Sequence, residues 1–183
     1  RNTFGFTEDD FVIMSVGQLS KRKNQETVIR AMAEIPDEKV KYLIVGLGEK
    51  EDSDRQLIDQ LDLKTRVVLA GYREDIKELL HAADAFVFPS LQEGLPVALL
   101  EAMYQEKLCI ASRVIGNKDV MIDGENGFLA DSYEDYVRIL KDVQDGKIPV
   151  EEIQKRAKQD VVESYNTTKM CGEYLRVYRE DTK

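Results

Sequence analysis

The sequence predicts an α/β fold, a three-layer sandwich doubly wound around a six-stranded parallel sheet in the order 3-2-1-4-5-6. Three observations carry that prediction. Six short runs rich in Val, Ile, Leu and Phe are spaced along most of the chain. Between them lie segments whose apolar residues recur at helical spacing. The runs that matter most end on glycine or proline, at Gly17, Gly46, Gly71 and Pro89. Strands alternating with helices in this way place helices on both faces of one sheet.

Taken in order, residues 1–10 (RNTFGFTEDD) read as a polar linker with Phe4 and Phe6 as anchors. Residues 11–16 form the first strand, stopped by Gly17. The basic loop Ser20-Lys21-Arg22-Lys23-Asn24 leads into a helix to about residue 35. Its Val28, Ile29, Met32 and Ala33 share one face, and Pro36-Asp37 breaks it. The second strand, 40–45, closes on Gly46-Leu47-Gly48. A helix over 51–61 starts with acids, which complement the helix dipole. The third strand is 66–70 and the next helix 74–82. Residues 85–88 form the fourth strand, broken at Pro89-Ser90. A polar loop carrying Glu93 and Gly94 follows, and Pro96 suits the first position of a helix to 104, because its missing N–H has no partner there. A fifth strand at 108–111, a helical turn at 118–122 and a sixth strand at 127–130 complete the sheet. Helices at 133–143, 150–164 and 168–179 close the chain. In the last, Met170, Tyr174, Val177 and Tyr178 make a stripe expected to pack on this domain, the alternative being a crossing to another one.

At 183 residues the chain is long enough for one domain with a full core. Its formal charge of −9 argues against a nucleic-acid surface, which needs clustered Lys and Arg. A single mononucleotide remains compatible, since that needs only a local positive spot. No apolar run approaches the roughly 20 residues that span a bilayer, and no secretory signal pattern is present. Cys109 and Cys171 share no metal-ligand spacing and read as reduced thiols in a cytoplasmic protein. The first residue is Arg1 rather than Met, so a fragment or a processed product is expected.

The sheet order puts a reversal between strands one and four, and ligands bind outside the carboxyl ends of strands at such a point. The loops there are 17–24 and 89–95. Lys21, Arg22 and Lys23 form the dense positive patch of the chain. It reads either as a solvated run or, from its place at the reversal, as a diphosphate contact. The helix after Glu93 offers unpaired N–H groups to an anion. A carboxylate beside such a site repels phosphate, which points to a ligand carrying hydroxyls next to its phosphates. Gly46-Leu47-Gly48 lacks the third glycine of a dinucleotide fingerprint, Glu51 standing in its place. Asp52 and Asp54 read as helix-start acids before a metal clamp. The G-x-x-x-x-G-K-[ST] phosphate loop is absent. His81, the single histidine, reads as a helix-end surface residue, so a Ser/His/Asp triad has no support.

Glu93-Gly94-Leu95-Pro96-Val97-Ala98-Leu99-Leu100-Glu101 resembles the E-x7-E motif of the group-one retaining glycosyltransferases with the GT-B fold. Residues 17–24, Leu43-Ile44-Val45-Gly46-Leu47-Gly48, Gly71-Tyr72-Arg73-Glu74-Asp75-Ile76 and Asn126-Gly127-Phe128-Leu129 are similar to the family's other landmarks. The combination covers nearly the whole chain from Phe4 onward. It implies a Rossmann-like donor-binding domain, the C-terminal one of two, with the N-terminal acceptor domain absent from this chain.

By position, the resemblance implies that Glu101 holds the ribose hydroxyls and Glu93 the hydroxyls of the transferred sugar. The N–H groups of Gly94, Leu95, Val97 and Ala98 would face sugar and phosphate. Lys23, with Gly17, Gln18 and Arg22 in its loop, would meet the diphosphate, and main chain near Tyr72 and Arg73 the base. Glu93 and Lys23 are the pair cast in the chemistry. Where the family often has Arg this chain has Gln18, and Arg22 is the substitute on offer. The implied function is donor binding for transfer of a hexosyl unit from a nucleotide-diphosphate sugar to a glycan or lipid-linked acceptor. No metal or other cofactor is expected. The resemblance also implies no nucleic-acid partner, and it leaves room for peripheral membrane association of the full-length enzyme. Donor binding without efficient transfer is expected of the 183 residues alone. The alternatives are a sugar-nucleotide epimerase domain, which would want acid/base groups this chain does not display, and a non-catalytic nucleotide or phosphosugar module. A receiver domain needs an acidic pair after strand one, where Gly17-Gln18 stands.

Overall fold

The computed structural model describes residues 1–166 together with residues 169, 171, 172, 175 and 176. Six strands form one all-parallel sheet: β1 (Phe11–Val16), β2 (Val40–Val45), β3 (Val67–Leu69), β4 (Ala85–Phe88), β5 (Leu108–Ser112) and β6 (Phe128–Ala130). Their order is β3-β2-β1-β4-β5-β6, as expected from the sequence. Among the described residues seven α-helices accompany them: α1 (Gln25–Glu34), α2 (Glu51–Gln60), α3 (Ile76–Ala82), α4 (Val97–Tyr104), α5 (Ile115–Val120), α6 (Tyr133–Gln144) and α7 (Val150–Ser164). β1 runs in step with β2 from Phe11↔Val40 to Val16↔Val45, and meets β4 at Ile13↔Ala85 and Met14↔Phe86.

Both faces of the sheet are covered, which is why the strands read as unbroken apolar runs rather than alternating ones. On one face Ile13, Ile44, Val87 and Ile110 pack against Ile29 and Met32 of α1, Leu57 of α2 and Leu140 of α6. On the other, Met14, Leu43, Phe86 and Cys109 pack against Leu80 of α3, Leu99 and Met103 of α4 and Val161 of α7. Burial pushes the Cys109 thiol well above its ordinary range, so it behaves as a small hydrophobe. Cys171 is free and exposed. No helix among the described residues is long and apolar enough to cross a membrane.

Two local readings shift, and a third falls outside the described residues. The segment 1–10, expected as a linker, is folded onto the domain. The Arg1 guanidinium donates to the carbonyls of Ala82 (2.9 Å) and Asp10 (2.7 Å) and grips both oxygens of Asp84 at 2.8 Å, while Phe6 enters the second core. Asp84 in turn accepts the Val12 N–H at 2.7 Å, so one carboxylate fixes both the segment and the start of β1. The helical turn expected at 118–122 is α5, beginning at Ile115. Its start is set by Asn117, buried, whose amide donates to the Ser112 carbonyl at 2.9 Å. The helix expected over 168–179, with its stripe at Met170, Tyr174, Val177 and Tyr178, lies outside the described residues apart from isolated positions.

The loops at the carboxyl ends of β1 and β2 stack directly on one another, and glycine makes this possible. Gly46 sits at φ 145°, and a Cβ there would collide with the Gly17 carbonyl. A Cβ on Gly48 would collide with the Leu19 backbone. Hydrogen bonds knit the layers: Gly17 N–H to Val45 O (2.9 Å), Leu19 N–H to Leu47 O (3.0 Å) and Lys50 N–H to Leu19 O (3.1 Å). Gly46-Leu47-Gly48 is therefore a packing device for the first loop, which accounts for two glycines without a third.

Asp52 and Asp54 do not share a face. Asp52 is exposed, while Asp54 in the first turn of α2 is 1% exposed. Burial raises the Asp54 carboxyl to about 6, with Lys50 opposing and Glu26 reinforcing the shift. An acid raised in the native state binds its proton more tightly folded than unfolded. Its effect therefore favours the fold at low pH, and that advantage is lost as pH rises from the unfolded value through about 6.

Two predictions follow from this packing. Asp54→Asn is expected to exceed the parent in stability by about 1–2 kcal/mol at pH 7.5 in urea unfolding, the gap narrowing toward pH 4.5; a pH-independent difference would contradict the argument. Gly46→Ala is expected to cost about 2–4 kcal/mol, whereas Gly94→Ala, whose Cβ meets open space, should stay within about 0.5 kcal/mol.

Candidate functional site

β1 and β4 lie at the centre of the sheet, where the strand order reverses, and the chain leaves them on opposite faces. The crevice between their carboxyl ends is walled by the loops 17–24 and 89–96. These loops are joined. Leu91 N–H donates to Arg22 O at 2.7 Å, Arg22 Nη1 to Gln92 O at 3.1 Å, and Asn24 Nδ2 to Pro89 O at 3.3 Å. Asn24 precedes α1 in the left-handed conformation, φ 54°, which Asn tolerates better than most residues. Its side chain does not cap the helix; it reaches across the crevice instead.

Lys23 and Glu93 meet at the centre of this join. Lys23 Nζ donates to Glu93 Oε1 at 2.6 Å, with the two side chains 14% and 7% exposed. Arg22 Nη1 stands 3.5 Å from the same oxygen on the solvent side. The Lys23 stem passes over Gly17, where a Cβ would lie 3.4 Å from Cε, and its ammonium sits 4.4 Å from the centre of the Phe88 ring. A desolvated ion pair of this kind adds little to stability and much to geometry, because losing one partner strands the other.

The tip of α4 lies beside Glu93. Pro96 caps the helix from just outside it, one position earlier than expected. Of the four N–H groups the resemblance singles out, that of Val97 is engaged, donating to Leu95 O at 3.0 Å. Those of Gly94, Leu95 and Ala98 make no hydrogen bond to another described residue, which leaves them for an anion. Glu101 is exposed one turn along, above Val97 and Ala98 on the same helix surface. Behind the loop, α5 presses closely: a Cβ on Gly116 would collide with the carbonyls of Glu93 and Gly94.

The segment after β3 completes the rim. Gly46 N–H donates to Gly71 O at 2.9 Å, bringing Tyr72 to the carboxyl end of β2. Tyr72 is 69% exposed, and Leu47 beside Gly71 is exposed as well. The Arg73 side chain is occupied. Its guanidinium holds both oxygens of Asp75 at 2.8 and 2.6 Å, and this partner keeps the Asp75 carboxyl below its usual range. Gln18 is exposed, and its carbonyl accepts Gln25 Nε2 at 3.2 Å.

The structure thus gathers Gly17, Arg22, Lys23, Glu93, Gly94, Leu95 and Ala98 around one crevice, with Gln18, Tyr72 and Glu101 on its margins. Sequence reading did not single out Phe88 or Gly116. The signal for Phe88 was its place as the last residue of the strand that feeds the crevice. Among the described residues no three His, Cys, Asp or Glu side chains cluster in a way that would hold a metal ion. A cavity of about 570 Å³ opens at the other pole, before β1 and β4, where Glu8, Asp9, Asp10 and Asp84 outnumber Arg1 and the single His81 in its lining.

The family described as "Glycosyl transferases group 1" matches residues 1–160. An Escherichia coli relative, UDP-Gal:alpha-D-GlcNAc-diphosphoundecaprenol alpha-1,3-galactosyltransferase, is 31% identical over 95% of this chain and 46% of its own length. The Bacillus anthracis N-acetyl-alpha-D-glucosaminyl L-malate synthase is 27% identical over 97% of this chain and 48% of its own. Among solved structures, Anabaena HepE in complex with UDP-glucose superposes with a TM-score of 0.86 at 25% identity, over 94% of this chain and 49% of that one. The chain spans about half the length of these relatives.

Proposed function

The chain belongs to the group 1 glycosyl transferases, and we propose that it is the donor-binding part of a retaining, metal-independent enzyme that moves a hexosyl unit from a UDP-sugar to a glycan or lipid-linked acceptor. One observation supports this reading above the others. Lys23 and Glu93, contributed by different loops, touch at 2.6 Å beside a helix tip with unpaired N–H groups. Cation, carboxylate and free donors within one crevice are what a diphosphate joined to a sugar requires. The UDP-glucose complex of the HepE structure and the UDP-galactose donor in the name of the E. coli relative favour uridine as the base.

In this reading the diphosphate takes the Lys23 ammonium and the N–H groups of Gly94, Leu95 and Ala98. Glu93 turns to the hydroxyls of the sugar, and Glu101 holds the ribose. When the bond from the sugar C1 to the diphosphate oxygen breaks, negative charge grows on the leaving group and positive character on the ring. A fixed ammonium and a helix tip stabilise the first without reorganising. The carboxylates fix orientation and so keep the reacting carbon facing the acceptor. Arg22, half-exposed at the solvent edge, supplies the second cation in place of the arginine that Gln18 replaces. The Tyr72 ring and main chain meet the base, since the Arg73 guanidinium is taken by Asp75. The crevice is open on the side facing away from the sheet, and the portion of the relatives that this chain does not match supplies the acceptor side. The enzyme works in the cytoplasm, with its acceptor at the membrane surface.

A thermal-shift panel of UDP, GDP, ADP and their sugars tests the donor. UDP and UDP-hexoses are expected to stabilise the chain, by about 2.7 kcal/mol at a hundredfold excess over Kd. No shift with any of them would refute the reading. In the complete protein, Glu101→Ala is expected to raise the donor KM about 10- to 100-fold with a smaller fall in kcat. Donor binding without any sugar transfer by the unaltered protein would point to a binding module instead.

A further inference from the structure

We propose that Phe88 is a positioning residue for Lys23, a neutral anchor that holds the ammonium in place while Glu93 exchanges partners. The inference rests on the donor-site reading above and adds to it a residue that reading did not use. Lys23 is held by Glu93, yet in the donor-site reading Glu93 turns to the sugar hydroxyls and lets it go. A lysine has four rotatable side-chain bonds, so an ammonium released by its only partner would wander. The structure provides a second partner. Nζ lies 4.4 Å from the centre of the Phe88 ring, inside the range in which the ring quadrupole attracts a cation.

That ring is itself immobile. Phe88 is 2% exposed, closes β4, and stacks on Phe86 with centroids 5.9 Å apart and planes 25° from parallel. The Lys23 stem also runs close against Gly17, and its backbone is pinned by the turn in which Lys23 N–H donates to Ser20 O at 3.1 Å. The side chain therefore runs in a slot between Gly17 and the aromatic ring, with Glu93 at the mouth. A ring carries no net charge and offers no hydrogen-bond acceptor of its own that competes with phosphate oxygens. It attracts the ammonium in both states of the site, whereas the carboxylate does so in only one.

A double-mutant cycle read by calorimetric nucleotide binding tests this on the chain as it stands, with UDP as probe and GDP and ADP in parallel. Phe88→Leu keeps apolar volume but removes the ring, and is expected to weaken binding about 3- to 10-fold. Phe88→Tyr is expected to restore it. In a Lys23→Met background Phe88→Leu is expected to change nothing further, because the cation it serves is gone. Phenylalanines carrying one, two and three fluorines at position 88 preserve the shape while draining the ring face. They should weaken binding stepwise, even if Phe88→Leu proves unstable. Unaltered binding in Phe88→Leu or across the fluorinated series, or an equal loss with and without Lys23, would overturn the proposal. If Lys23→Met itself leaves binding intact, or the parent binds none of the three nucleotides, the donor-site reading fails beneath it.

Discussion

The 2.6 Å contact between Lys23 and Glu93 ties two loops that the topology would otherwise leave to diverge. A parallel sheet opens a crevice wherever its strand order reverses, but the crevice is only a gap until its walls are held at a fixed distance. Here the hold is electrostatic at the centre and polar at the edges, where Leu91, Gln92 and Pro89 bond to Arg22 and Asn24. Burying both charges costs several kcal/mol per ion, so the pair is a poor way to gain stability. It is a good way to specify position. Neither group finds an equally good partner if the loops drift apart.

The loops can come this close because the backbone beneath them has been cleared of side chains. Gly46 and Gly48 let the first loop rest on the second, and Gly116 lets α5 rest against the carbonyls of Glu93 and Gly94. Gly17 clears the track along which Lys23 crosses to the crevice. The contacts at Gly46, Gly48 and Gly116 are backbone against backbone, and those at Gly46 and Gly48 join the hydrogen bonds that lead into β1 and β2. The charged tip of a flexible lysine is thereby referred to the least mobile part of the molecule.

Sheet order, strand positions and the pairing of the two loops were legible in the sequence because each rests on a local signal: an apolar run, a terminating glycine, a proline at a helix start. β1, β2 and β4 begin and end where the apolar pattern does. What was not legible depends on side chains that act at long range. Nothing in RNTFGFTEDD reveals that Arg1 will grip Asp84, 83 positions away, and turn an apparent linker into part of the fold. The inward turn of Asp54 was hidden in the same way. Its neighbours Glu51 and Asp52 carry the helix-start signal, and the pattern does not say which acid faces the core. Phe88 read as one more core aromatic, since strand alternation gives the face a residue occupies but not the cation above it. The sequence shows the glycines at 46 and 48 and the incomplete fingerprint around them, but the backbone they accommodate is visible only with the loops in place.

The proposed function asks a chain with formal charge −9 to host a diphosphate, and that demand bears on the role of the central carboxylate. Much of the acid is exposed or already paired, with Asp75 on Arg73, Asp123 and Asp131 on Arg113, and Glu26 on Arg30 and Lys50. The cavity lined by Glu8, Asp9, Asp10 and Asp84 lies at the opposite pole of the sheet, away from the crevice. Among the described residues Glu93 is the acid paired with Lys23, and it neutralises the lysine that a phosphate would otherwise seek. A free phosphate must displace that carboxylate and gives it nothing in return, leaving a buried anion beside another. A phosphate that brings hydroxyls offers Glu93 new hydrogen bonds as it takes the lysine away. The pair thus discriminates by exchange: the more completely a ligand satisfies the carboxylate it displaces, the less it loses by binding. On the proposed function, selectivity for a sugar joined to a diphosphate over the diphosphate alone would reside in the same contact that holds the two loops together.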